Sequence, residues 1–174
     1  KCNNSDNPCY QHSDSHTLLK LYLTIIRPHL EYASPVWDPY HKTEVEAIES
    51  VQKFALRMSL KSWSTDYDHL LLESKLLSLK TRRSVLNLNQ LYKIMKNLTH
   101  YPNAPITQRD IPYSNRRINA TTVCVPHAST CAYQNSFFPK TLSLWNTLPE
   151  EITSCTTVVA FKRHLTKSSI VKNY

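Results

Sequence analysis

Glycine is missing from this chain: none of its 174 residues is Gly, where an average protein would have roughly 7%. The absence excludes whole classes of function. Phosphate-cradling loops of the P-loop and dinucleotide kinds need glycine where the backbone meets the phosphate, so neither exists here. Tight Asn-Gly hairpin turns are excluded too, which favours helices joined by loops of Pro, Ser and Asn. Long apolar runs are also lacking. No stretch approaches the ~20 residues that span a bilayer, and the opening KCNNSDNPCY is polar rather than a secretory signal. No membrane contact and no secretion are expected, and an intracellular location, nucleus or cytoplasm, is. The N-x-S/T tripeptides at Asn3, Asn97 and Asn119 are then chance matches. The chain starts without Met and is expected to be a piece of something longer.

Catalytic constellations are lacking as well. There is no Asp-Asp pair, no G-x-S-x-G and no H-E-x-x-H. The histidines are scattered singly, as surface or core-edge residues usually are. Asp66 and Asp68 flank Tyr67, but a helix start there accounts for both acids. Five cysteines is an odd number and fits a reduced chain. Cys2, Cys9, His12 and His16 resemble a ligand set, yet six residues separate the two cysteines, and zinc ligand pairs usually sit two to four apart. No metal site, cofactor or small-molecule substrate is expected.

What is present is charge of one sign in one place. The net charge is +8. Residues 75–117 hold nine Lys/Arg against the single acid Asp110, so this segment alone matches the whole excess, while residues 1–74 hold seven Lys/Arg against ten Asp/Glu. A one-sign block of this kind is an electrostatic footprint for a polyanion.

Helical spacing dominates. Leu18, Leu19, Tyr22, Ile25, Ile26 and Leu30 recur at threes and fours over about 15–32, with a bend near Pro28. A turn on Pro35, Trp37 and Pro39 comes next. Thr43 and Glu46 form a capping-box pattern before a helix over about 42–60, with Val45, Ile48, Val51, Ala55 and Met58 as its stripe. Asp66 caps a short helix through Ser74, and Ser78 a long one over about 79–98. On the long helix Val85, Leu88, Leu91, Tyr92, Met95 and Leu98 make one face, opposite Arg82, Lys93 and Lys96, with Arg83 at the edge. Thr121 to Val125 reads as a short strand. Ser136 to Asn146 reads as a helix with Pro139 in its first turn, and Thr157 opens a last helix through Val158, Phe161 and Leu165.

Three separated motifs carry a resemblance. LYLTIIRPHLEYASPVWDPY with IESVQKFALR, then SLKTRRSVLNLNQLYKIMKN, then NSFFPKTLSLWNTLPEEI with FKRHL occur in the order seen in reverse transcriptases of non-LTR (LINE-type) retrotransposons, after the polymerase palm. The likeness spans roughly residues 18–166. It implies the helical thumb and C-terminal extension of such an RNA-directed DNA polymerase. The palm, with its Asp residues and Mg²⁺ ions, belongs to a part not contained here, so the chain is expected not to be an enzyme on its own. Its implied partners are an RNA/DNA template–primer duplex and the palm.

The expected architecture is mostly α. A loose tail at 1–14 precedes a helical thumb-like domain at 15–100. A Pro-containing linker at 101–118 then leads to a small C-terminal lobe at 119–168 with at most a short hairpin, and to a frayed tail at 169–174. Lys80, Arg82, Arg83, Lys93, Lys96, Arg116 and Arg117 are the expected phosphate contacts, which position a duplex without reading its sequence. Tyr22, Trp37, Phe54 and Trp145 are the expected structural anchors. The alternative function is a non-enzymatic helical protein-interaction module derived from such an element.

Overall fold

The computed structural model describes residues 14–107 and 122–168. The regular elements are helices: α1 (Ser15–Leu21), a π-helical turn (Tyr22–Ile26), α2 (Arg27–Glu31), α3 (Ser34–Trp37), α4 (Lys42–Leu60), α5 (Tyr67–Ser74), α6 (Leu79–Met95), α7 (Cys131–Gln134), α8 (Phe137–Trp145), α9 (Glu150–Thr153) and α10 (Val158–Lys167). The fold is mostly α, as expected. Among the described residues no strand forms; the expected strand reduces to one bridging residue, Val123, beside which the Cys124 N–H donates to the Thr107 carbonyl at 2.9 Å.

The chain divides into two units. The first combines Lys1–Tyr32 with His41–Leu79, and the second combines Ala33–Tyr40 with Lys80–Tyr174. The break expected over 101–118 therefore falls inside the second unit, and α6 belongs with the C-terminal helices rather than with α4. The reason is its apolar face, which packs with side chains of α8 and α10.

In the first unit Pro28 decides the course of the leading helices. Pro28 has no N–H to give Thr24, and the Arg27 N–H reaches back five residues to the Tyr22 carbonyl. The extra residue in that turn rotates the helix beyond it. Tyr22 is buried and Leu18, Leu19 and Leu30 half-buried, but Ile25 and Ile26, expected on the buried face, stand in solvent. Helix α4 has the expected bounds. Its start is not the expected capping box: His41 is the N-cap, and Glu46 pairs with Lys42 at 3.7 Å. Its buried line is Gln52, Leu56 and Ser59 rather than the stripe through Val51.

Gln52 explains that rotation. Its Oε1 accepts the Tyr22 hydroxyl at 2.6 Å, and its Nε2 donates to the Leu77 carbonyl at 3.0 Å and the Tyr67 hydroxyl at 3.1 Å. Tyr67 in turn donates to Glu49 Oε2 at 2.6 Å, which also accepts the Leu79 N–H at 3.2 Å. Facing Gln52 inward turns Phe54, two residues on, to the far side of α4. Phe54 is 56% exposed and meets the edge of Trp63, at 5.9 Å, so it is no core anchor.

The second unit holds the larger apolar core. Val85, Leu88, Leu91 and Tyr92 of α6 join Leu142, Leu144 and Trp145 of α8, Leu148, Ile152 of α9, and Phe161 and Leu165 of α10. Full burial of each aliphatic or Phe side chain is worth about 1.5–3 kcal/mol. Tyr92 stacks on Phe161 at 4.4 Å and donates its hydroxyl to the Cys155 carbonyl at 2.8 Å. Trp145 lies 5.6 Å from Phe161. Thr157 caps α10 by accepting the Ala160 N–H at 3.2 Å.

Candidate nucleic-acid interface

Helix α6 places the expected cationic residues, and its geometry sorts them. Successive residues step about 100° around an α-helix. The buried positions of α6, including Arg83, Val85, Asn87, Leu88, Leu91, Tyr92 and Ile94, take up more than half its circumference. Arg82, Asn89 and Lys93 fall on the remaining side and are half-exposed; Lys96, just past the helix end, is exposed. The Lys96 ammonium lies 5.8 Å from the centre of the Tyr92 ring, an aromatic face that favours a cation. Lys80 is exposed, but its place two residues before Arg82 sets it on another side of the helix. Arg116 and Arg117 lie outside the described residues.

Arg83 is not a surface contact. Its side chain is 1% exposed, and its Nε donates to Asp38 Oδ1 at 2.8 Å. One step of the helix beyond Arg82 carries it toward the segment Ala33–Tyr40, which belongs to the same unit. That segment enters through Ala33, held at φ 51°, and forms the short α3 with Pro35 in its first turn. Asp38 is the C-cap of α3. Its Oδ2 accepts from Lys140 Nζ at 2.7 Å and from Asn87 Nδ2 at 3.3 Å, while Ser34 Oγ donates to Asn87 Oδ1 at 3.3 Å. Trp37 is not a buried anchor: it is 38% exposed and lies against Arg83, its ring centre 6.0 Å from the guanidinium carbon. Tyr22 and Trp145 are buried as expected.

The Asp38 cluster is the feature that sequence reading missed. Its partners lie 45 and 102 positions away along the chain, beyond any local pattern. One signal was present: Arg83 and Asn87 stand four apart on the edge of the apolar stripe, where a charge needs a partner. Three further cations, Lys162, Arg163 and Lys167, are exposed on α10 of the same unit. Among the described residues no group of His, Cys, Asp and Glu converges as a metal would require, and no helix is long and apolar enough to cross a membrane. Compared with protein-family models, curated proteins and solved structures, the chain has no match.

Proposed function

We propose that this chain is the thumb and C-terminal extension of a non-LTR retrotransposon reverse transcriptase, and that its second unit tracks the backbone of a template–primer duplex. The observation that carries the reading is the way charge follows the division into units. The second unit holds thirteen Lys/Arg against four Asp/Glu, a net charge of +9, and the first holds eight against nine, a net charge of −1. An excess confined to one unit favours a polyanion through counterion release rather than through any single contact. Arg82, Lys93 and Lys96 are the contacts assigned on α6, with Arg83 withdrawn from the set. Catalysis and Mg²⁺ belong to a palm outside this chain, and the working compartment is inside the cell, where template and target meet.

The test is fluorescence anisotropy with an RNA/DNA hybrid and a DNA duplex over a salt series. Three or four phosphate contacts give a slope of log affinity on log salt near −3, at about 0.9 per contact on B-DNA. Changing Arg82, Lys93 and Lys96 together to Gln flattens the slope while the circular dichroism spectrum is kept, because charges at the solvent-facing side of a helix add little to stability. An unchanged slope removes α6 from the interface. A second reading, a helical protein-interaction module, is favoured by a different observation: Ile25, Phe54, Trp63 and Leu72 of the first unit are all exposed. Absence of binding to either nucleic acid at low salt selects that reading.

A further inference from the structure

We propose that the Asp38–Arg83–Lys140 cluster of the second unit is an oxyanion site for a phosphate group, with the Asp38 carboxylate holding the ligand's place. Two cations meet one acid there, at 2.8 and 2.7 Å, which leaves one positive charge in excess. Arginine binds an anion best through two parallel N–H bonds. Among the described residues Arg83 uses only Nε; both Nη1 and Nη2 are buried there without an acceptor. Buried donors left unmade are costly, and native structures rarely tolerate them without a reason.

Asp38 supplies only part of what is missing. Its Oδ2 is filled by Lys140 and Asn87, and its Oδ1, which accepts from Arg83 Nε, has room for one further donor, fewer than Nη1 and Nη2 together present. A phosphate brings more acceptor oxygens and a second negative charge, which matches the donors that Arg83 and Lys140 have left over. Lys140 also provides the approach. Its side chain is 23% exposed, and it lines a cleft of about 300 Å³ together with Val125, Pro126, Asn135, Pro139 and Ser143. Asp38 sits at the end of the four-residue α3, so its withdrawal disturbs no long helix.

The experiment is thermal unfolding of the whole chain in inorganic phosphate against chloride at matched ionic strength. Phosphate raises the melting temperature of the wild type, and Lys140→Gln loses the rise while its melting transition in chloride stays cooperative. Asp38→Asn, relieved of the competing carboxylate, binds phosphate about tenfold tighter. No rise in the wild type, or the same rise in Lys140→Gln, overturns the site; this pair decides even if Asp38→Asn does not fold. Competition with a 5′-phosphorylated oligonucleotide and its 5′-hydroxyl twin then names the source. Displacement by the first alone assigns a terminal phosphate, by both a phosphodiester, and by neither free phosphate. The proposal is independent of the duplex reading, because the Arg82, Lys93 and Lys96 variant keeps the phosphate-dependent rise.

Discussion

Gln52 governs the first unit although nothing in its local sequence marks it. Inside an apolar stripe a Gln reads as a surface residue, because its amide wants water. Here the amide is supplied by Tyr22, Tyr67 and Leu77 instead, and such bonds join positions up to 30 apart. That is why the helix bounds of α4 were legible and its buried face was not. Gln52→Ala removes the acceptor of the Tyr22 hydroxyl and the donor to the Leu77 carbonyl at a buried site, and is expected to cost about 1–3 kcal/mol in urea unfolding. Tyr67 gives the same network a pH signature. Burial pushes its phenol well above the usual value near 10, and the hydrogen bond to Glu49 pushes it further. Below about pH 10 the phenol is neutral folded and unfolded, so its contribution is fully present. Above that, the unfolded chain releases a proton that the folded one keeps, so stability falls as pH rises. Tyr67→Phe is expected to lessen the alkaline decline in melting temperature. Trp145 and Trp37 make a contrasting pair. Both looked like anchors by their place beside helix ends and turns, but only Trp145 lies within the apolar core. Trp145→Ala is expected to cost about 3–5 kcal/mol, and Trp37→Ala clearly less, by the same denaturation measurement.

At the scale of elements, the lack of glycine returns as a feature of helix ends. α4 ends at Lys61 with φ 52° and α5 at Lys75 with φ 56°, the left-handed conformation in which a Cβ costs roughly 1–2 kcal/mol. Glycine is the usual residue there. Lys61→Gly and Lys75→Gly are each expected to raise stability by about 0.5–1 kcal/mol, since the relieved strain exceeds the added backbone entropy of the unfolded chain. Equal or lower melting temperatures in both variants would sink that expectation. The periodicity of α6, α8 and α10 was legible because their apolar faces meet one another directly, with few polar residues in between. The course of α1 and α2 was legible only in outline: the bend near Pro28 was foreseen, but not the π turn just before it, which throws Ile25 and Ile26 outward.

At the scale of the whole molecule, Lys80–Tyr174 and Ala33–Tyr40 form a single unit although 39 residues of the other unit, His41–Leu79, intervene in sequence. Residues 80–174 expressed alone therefore lack Asp38 and leave the buried Arg83 with no carboxylate. Loss of a partner from a buried pair costs about 3–5 kcal/mol, a large part of a domain's stability. That fragment is expected to give poorly dispersed amide NMR spectra, and a peptide of residues 33–40 to restore dispersion. The purified whole chain, with Mg²⁺, dNTPs and a primed template, is expected to extend no primer.

The passage of Ala33–Tyr40 into the second unit and back has a genetic counterpart. No uninterrupted stretch of coding sequence specifies either unit in full. A recombination breakpoint anywhere between codons 38 and 83 takes Asp38 and Arg83 from different parents, so the pair survives such a crossover only if the parents match. Exchange between related copies should therefore leave functional descendants only where the crossover lies outside that interval, or where both donors carry the same acid at position 38 and the same arginine at position 83.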